Sequence, residues 1–214
     1  RVARWANSMV AVLDGFILVA IGGLILLHVI PQSVQLGGWI VVVGAAIGAA
    51  LALRIQLTAM PEMVALLNAF GGGASALVAG AVLVGTEDPS TQTAVATVAS
   101  GIIGSVTFWG SLVAFDKLRG LLLPDAPVLF PGQQSLNALL ALGAVGLGVL
   151  VVMDPGTATA YAGVVVVASV LGILLHIPVG GADMPVAIAL LNSYSGLAAA
   201  STGFVLSNNV LIIT

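Results

Sequence analysis

The chain has no cysteine, two histidines and only 6 % charged residues in 214. Without cysteine there is no disulfide, no thiolate metal ligand and no cysteine nucleophile, and the redox compartment is left open. With two histidines a histidine-built metal site is not expected either. A soluble domain carries roughly a quarter of its residues as charge, so this composition excludes one. The five lysines and arginines form no cluster and are not interleaved with aromatics, which sets aside nucleic acid and an anionic lipid surface as partners. Glycine is plentiful, yet Gly71 to Ser75 is not a phosphate loop, and Gly143 to Gly148 has neither a preceding strand nor the dinucleotide spacing. No cofactor-binding residue is expected in this segment. What is abundant is apolar sequence, at 60 % of residues. The class this implies is an all-α, polytopic transmembrane helix bundle lying in a lipid bilayer.

Apolar runs of about 20 residues match a hydrocarbon core of roughly 30 Å as helices, because internal hydrogen bonding is compulsory there. They predict helices over residues 8 to 30, 35 to 57, 60 to 84, 91 to 115, 133 to 153, 157 to 178 and 184 to 206, with another opening near Asn208. Pro31, Glu87-Asp88-Pro89-Ser90, Pro124 to Gly132 and Asp154-Pro155-Gly156 fall between these runs as loop signals. Arg1 and Arg4 precede the first helix, Arg54 lies near the second turn-around, and Lys117 and Arg119 follow the fourth helix. All five are then on one side, with Glu87, Asp88 and Asp154 on the other. The positive-inside bias puts the N-terminus on the cytoplasmic side, or the matrix side in an organelle. The chain opens on Arg1 without signal-peptide features and stops at Thr214 within an apolar run, so a fragment of a longer polypeptide is expected, residues 1–214 forming a single transmembrane domain.

One segment occurs twice. Met60-Pro61 to Asn68 returns as Met184-Pro185 to Asn192, and nine of the seventeen positions from 60 to 76 recur at a shift of 124 residues. Val41-Val42-Val43 and Val165-Val166-Val167, Gly48 and Gly172, and Gly72 and Gly196 keep the same shift. The copies, about 8–115 and 132–214, are four helices apart and so share one orientation, which makes the repeat parallel rather than inverted.

The repeat puts asparagine at matched depth in two apolar helices, where an unpartnered carboxamide is costly. Ser75 continues the Asn68 face and Ser195 the Asn192 face. Two roles are open: lining one water-containing passage, or hydrogen bonding between helices worth about 1 kcal/mol. An amide does not titrate near neutral pH, so either asparagine could orient water but not store a proton. Glu62 and Asp183 sit at helix starts, as simple caps favoured by the helix dipole or as a proton-accepting mouth. Asp14 lies inside the first helix, where snorkelling and a relay role are both open. His176 ends the sixth helix before Gly180-Gly181, as an interfacial residue or a coupling group.

The run Gly180-Gly181-Ala182-Asp183-Met184-Pro185, with Leu191-Asn192-Ser193-Tyr194-Ser195-Gly196 and Phe204-Val205-Leu206-Ser207-Asn208-Asn209, closely resembles the membrane domain of the proton-translocating nicotinamide nucleotide transhydrogenase beta subunit. Met60-Pro61-Glu62 to Asn68, Gly104-Ser105-Val106-Thr107-Phe108, and Gly110-Ser111 to Ala114-Phe115 fit the same family in order. The likeness runs from about Gly38 to the end. It implies an enzyme coupling hydride transfer between NAD(H) and NADP(H) to proton movement, with this segment carrying the proton pathway and no hydride chemistry. It implies further that NADP(H) binds a domain following the last helix and NAD(H) a domain on the companion alpha part. The implied partners are therefore the alpha-subunit membrane helices and both nucleotide domains, in a homodimeric assembly in a bacterial cytoplasmic or mitochondrial inner membrane. The family's beta part has about nine helices, so one at each end is expected beyond this chain. By position, Asn68 stands where many relatives carry a histidine of the proton path, and this departure leaves the titrating group unidentified. Asn192, Asp183 and Asn208 match polar positions of conduction or coupling. The rival reading from the repeat and its polar residues is a stand-alone secondary transporter or a proton or cation channel.

Overall fold

A computed structural model describes residues 34–54, 56–154 and 157–213. The helix expected over 8 to 30, with Asp14, lies outside the described residues. The chain divides between Met60 and Pro61 into two compact units. In the first, helix α1 (Val34–Arg54) is followed by a single 3-10 turn, Leu57–Ala59. The basic Arg54 closes the last turn of α1, where a cation suits the helix dipole.

The second unit is a helix bundle. Its helices are α2 (Met60–Gly85), α3 (Thr91–Arg119), α4 (Gln133–Met153), α5 (Ala158–His176), α6 (Met184–Val205) and the short α7 (Asn209–Ile213), with a 3-10 turn Gly181–Asp183 before α6. Among the described residues five segments are long and apolar enough to cross a membrane: α2, α3, α4, α5 and Gly181–Val205. The protein is an integral membrane protein.

Helix ends follow local chemistry. Ser90 caps α3, its Oγ accepting from the Thr93 amide at 3.2 Å. Gly120, at φ 61°, closes the same helix in the left-handed conformation that glycine adopts without strain. The Asp116 carboxylate accepts from the amides of Leu122 and Leu123, which turns the chain away. Pro185 sits in the first turn of α6, where its missing N–H had no intrahelical partner.

One boundary differs from the sequence expectation. The fourth predicted helix stops at 115, but α3 continues to Arg119, so Lys117 and Arg119 lie in its last turn rather than after it. Lys117 is 2 % exposed, and its ammonium donates to the carbonyls of Ala126, Ile177 and Val179 at 3.2, 2.7 and 2.8 Å. A charge so fully hydrogen-bonded can be buried, and helix and loop close around it.

α3 is the central helix: half of its span is buried, against 22 to 39 % for the others. Around it the interior is built from small residues. Large apolar side chains such as Leu139, Leu142, Leu150, Val166 and Leu190 point outward. That inversion suits lipid, where close backbone approach rather than hydrophobic exclusion holds helices together. At one end of the bundle Ala65, Ala114, Met184, Ile188 and Leu191 join α2, α3 and α6. Towards the other, Leu83, Val151, Tyr161 and Val164 join α2, α4 and α5. The α3–α4 and α5–α6 connections meet at the first end, where Val128 N donates to Ile177 O at 3.1 Å and Gly181 N to Asp125 O at 3.0 Å.

Candidate functional site

The seam where α2, α3 and α6 meet starts from two glycines. A Cβ on Gly72 would lie 2.6 Å from Gly104 O, and one on Gly104 2.5 Å from Gly72 O. The two backbones therefore touch, and α6 closes the groove beside them.

Polar groups follow one another along this seam from the Lys117 end. Asn68 is 5 % exposed, and its Nδ2 donates across to Ile188 O on α6 at 3.4 Å. Eight residues into α2, it lies about 12 Å from the helix start. One turn further, the Ser195 hydroxyl of α6 packs on Gly71, where a Cβ would sit 2.8 Å from its oxygen. At the next level Ser75, buried on α2, offers its carbonyl to Ser100 Oγ of α3 at 3.1 Å. Ser100 Oγ is also 2.7 Å from Thr202 Oγ1 and 3.4 Å from Ala198 O, both on α6. Thr202 Oγ1 in turn donates to Ala198 O at 2.9 Å. Asn68, Ser195 and Ser75 thus share one seam, with Ser100 and Thr202 at its far level.

The matched asparagine has different surroundings. Asn192 is exposed on the outer face of α6, so the two asparagines do not face each other within this chain. Asp183 is exposed at the end of the 3-10 turn, with no side-chain capping bond. Glu62, 20 % exposed, accepts from Arg119 Nε at 3.2 Å and ties the start of α2 to the end of α3. His176 is 6 % exposed at the end of α5, its Nδ1 2.8 Å from Gly172 O, and its ring lies against Gly110 of α3. Asn208 precedes α7, with its Oδ1 accepting from Val210 N at 3.0 Å and its own amide bonding Gly203 O at 2.8 Å. Among the described residues no three His, Asp or Glu side chains group as metal ligands would.

Three features were not singled out from the sequence. Ser100 and Thr202 read there as ordinary small helix residues, and Lys117 only as a topological marker. A serine and a threonine carry no signal until their helices are placed. For Lys117 a signal did exist, since a lone lysine at the end of an apolar run needs partners.

Chemically, the seam is a file of neutral groups that both donate and accept. Such groups pass protons through hydroxyls and water but hold no charge near neutral pH. Further hydroxyls line α3: Thr97, Ser105 and Ser111 are buried with no protein partner for their oxygens, and buried hydroxyls of that kind are where internal water is bound.

The family described as NAD(P) transhydrogenase beta subunit matches residues 3–214. Two curated relatives from Rhodospirillum rubrum, both named NAD(P) transhydrogenase subunit beta, are 42 % identical over 200 residues, covering 88 % of this chain and 43 % of theirs. The chain thus spans less than half the length of the curated relatives it matches.

Proposed function

Because this chain belongs to the NAD(P) transhydrogenase beta subunit family, we propose that its bundle forms the proton pathway coupling proton translocation to hydride transfer between NAD(H) and NADP(H). The observation that carries this reading is the seam: a buried carboxamide and successive hydroxyls lie between three apolar helices, where each polar group costs free energy unless it has a partner or a task. Asn68, Ser195 and Ser75 line the path. Hydride transfer takes place elsewhere, on NADP(H) and NAD(H) domains outside this segment, which binds neither nucleotide.

Asn192 fits the same reading through its exposure. A carboxamide facing hydrocarbon is costly, so in the assembly the outer face of α6 is covered by membrane helices of the alpha subunit, and Asn192 meets the path from that side. The alpha-subunit helices also supply the titrating group that an asparagine at 68 cannot be. Asp183, Glu62, Asn208 and His176 act in coupling. Glu62, Asp183 and His176 lie at or beside helix ends on the Lys117 side, which the positive-inside bias makes cytoplasmic or matrix-facing. The NADP(H) domain docks on that side, the whole forms a homodimer, and the 124-residue parallel repeat describes the ancestry of the bundle. A stand-alone transporter is less favoured, since the chain's family is that of a subunit.

Engineered cysteines test the path, because this segment has none of its own. In the full-length assembly during turnover, cysteine at Ser195 should react with a small water-soluble thiol reagent, and cysteine at the outward-facing Leu139 of α4 should not. Reaction at Leu139 with none at Ser195 would place water outside the seam and end this reading.

A further inference from the structure

The far level of the seam contains an arrangement whose own role the pathway reading does not assign. Ser100 is fully buried and Thr202 is 5 % exposed, their oxygens 2.7 Å apart, and each has a main-chain carbonyl as an alternative partner. Ser100 reaches Ser75 O on α2 at 3.1 Å, and Thr202 reaches Ala198 O on α6 at 2.9 Å. Two hydroxyl protons therefore share two carbonyls and the contact between the two hydroxyl oxygens.

Two arrangements keep the bond between the hydroxyls and satisfy the second proton at a carbonyl 3.1 Å away or nearer, without moving a heavy atom; the Ala198 carbonyl also stands 3.4 Å from Ser100 Oγ. In one, Ser100 donates to Thr202 Oγ1 and Thr202 donates to Ala198 O. In the other, Thr202 donates to Ser100 Oγ and Ser100 donates to Ser75 O. They interconvert by rotation of two hydroxyls, and they differ in whether the pair is bonded to α2 or to α6. A displacement of α2 against α6 by a few tenths of an ångström would favour one over the other, since these bonds span only 2.7 to 3.1 Å. Such a pair has the two discrete states that coupling requires.

We propose that the Ser100–Thr202 hydroxyl pair is the reversible proton-passing step of the seam, switched by the relative position of α2 and α6. The inference rests on the pathway reading above. A protonated water on the Asn68 side gives a proton to Ser100 Oγ as Ser100 passes its own to Thr202 Oγ1, and Thr202 releases its own to a water beyond, so a neutral water is left behind and a protonated one forms ahead. One O–H bond forms at each oxygen as one breaks, so neither side chain keeps a charge, and rotation of the hydroxyls restores the starting arrangement. The end of the bundle beyond this level carries an open depression of about 550 Å³ lined by Thr91, Gln92, Val95, Ala96, Ser201 and Phe204. Ser201 adjoins Thr202 in sequence, and Ala96 is one helical turn from Ser100, which puts the pair about one turn from this depression.

The test measures proton uptake per hydride transferred in vesicles containing the full-length assembly, for Thr202→Val, Thr202→Ser and Ser100→Ala. Valine keeps the shape of threonine and removes only the hydroxyl, whereas serine keeps the hydroxyl. On this proposal Thr202→Val and Ser100→Ala lower proton uptake by on the order of tenfold or more, and Thr202→Ser stays within about twofold of wild type. Equal losses in Thr202→Val and Thr202→Ser would assign the site to packing and overturn the proposal. Asn68→Leu, run beside them, separates the two readings. If Asn68→Leu stops uptake while the hydroxyl variants pump normally, the switch is wrong and the seam stands; if all pump normally, both fall. Should Thr202→Val not assemble, Ser100→Ala with a melting curve like wild type decides by the same criterion.

Discussion

Replacing Gly72 by alanine should separate α2 from α3 and disturb the seam together with the fold. The added Cβ would lie 2.6 Å from Gly104 O, 2.9 Å from Thr107 Cβ and 3.0 Å from Phe108 N. Two of these three are main-chain atoms, which cannot move aside as a flexible side chain would. Ordinary contact begins near 3.4 Å, so α2 has to withdraw by about 0.8 Å. Ser75 lies one turn along the same helix, and an equal shift would stretch its 3.1 Å bond from Ser100 to about 3.9 Å, beyond hydrogen-bond length. Overpacking costs about 1–3 kcal/mol and the lost bond about 1 kcal/mol, so the expected destabilisation is about 2–4 kcal/mol. Unfolding of the purified full-length assembly in detergent, followed by proton uptake in vesicles, reads both effects. Gly146→Ala is the control, because nothing lies within 4 Å of a Cβ there. If Gly72→Ala matched that control in stability and in pumping, the close crossing of α2 and α3 would be refuted.

Lys117→Met should leave the carbonyls of Ala126 and Val179 without their donor, Ile177 O keeping the Val128 amide, destabilise the assembly by about 2 kcal/mol or more, and speed hydrogen exchange at the amides of Val128 and Gly181; unchanged exchange would contradict the role given to the ammonium. Tyr161→Phe removes the 2.6 Å bond to Ala76 O and should cost about 1 kcal/mol in the same unfolding assay, because the ring stays held between Gly80 and Gly101. Glu62→Gln should change stability by less than about 1 kcal/mol, since its partner Arg119 is 55 % exposed, so any large loss of coupling in that variant would belong to the carboxylate's own role in coupling rather than to a weakened fold. Asn192→Leu should weaken co-purification of the alpha subunit while leaving the helix content of the assembly unchanged.

Much of the architecture was legible because membrane helices announce themselves. Compulsory internal hydrogen bonding turns each long apolar run into a helix, and Pro, Gly and Asp punctuation separates them, so the predicted spans from 133 to 153 and 184 to 206 agree with α4 and α6 to within a residue. The end of α3 was harder. Hydropathy falls away after Phe115, and nothing in a single sequence says that carbonyls sixty residues later will receive the Lys117 ammonium.

Faces were harder still. In water an amphipathic stripe marks the buried side of a helix, but these helices are apolar all round, so the sequence does not show which side meets a neighbour and which meets lipid. That is why Asn68 and Asn192, each closing the same Ala-Leu-Leu-Asn run, could not be told apart: one is buried against α6 and the other exposed on it. Ser100 and Thr202 were hidden for the same reason. Only the placement of α3 between α2 and α6 brings their oxygens together.

The central claim is that protons travel the seam containing Asn68, and the most direct measurement is proton uptake into vesicles of the full-length assembly, with hydride transfer followed in the same sample. Asn68→Leu should largely abolish proton uptake while nucleotide binding and assembly persist. Uptake at the wild-type rate in that variant would contradict the claim, reducing Asn68 to a hydrogen bond between two helices.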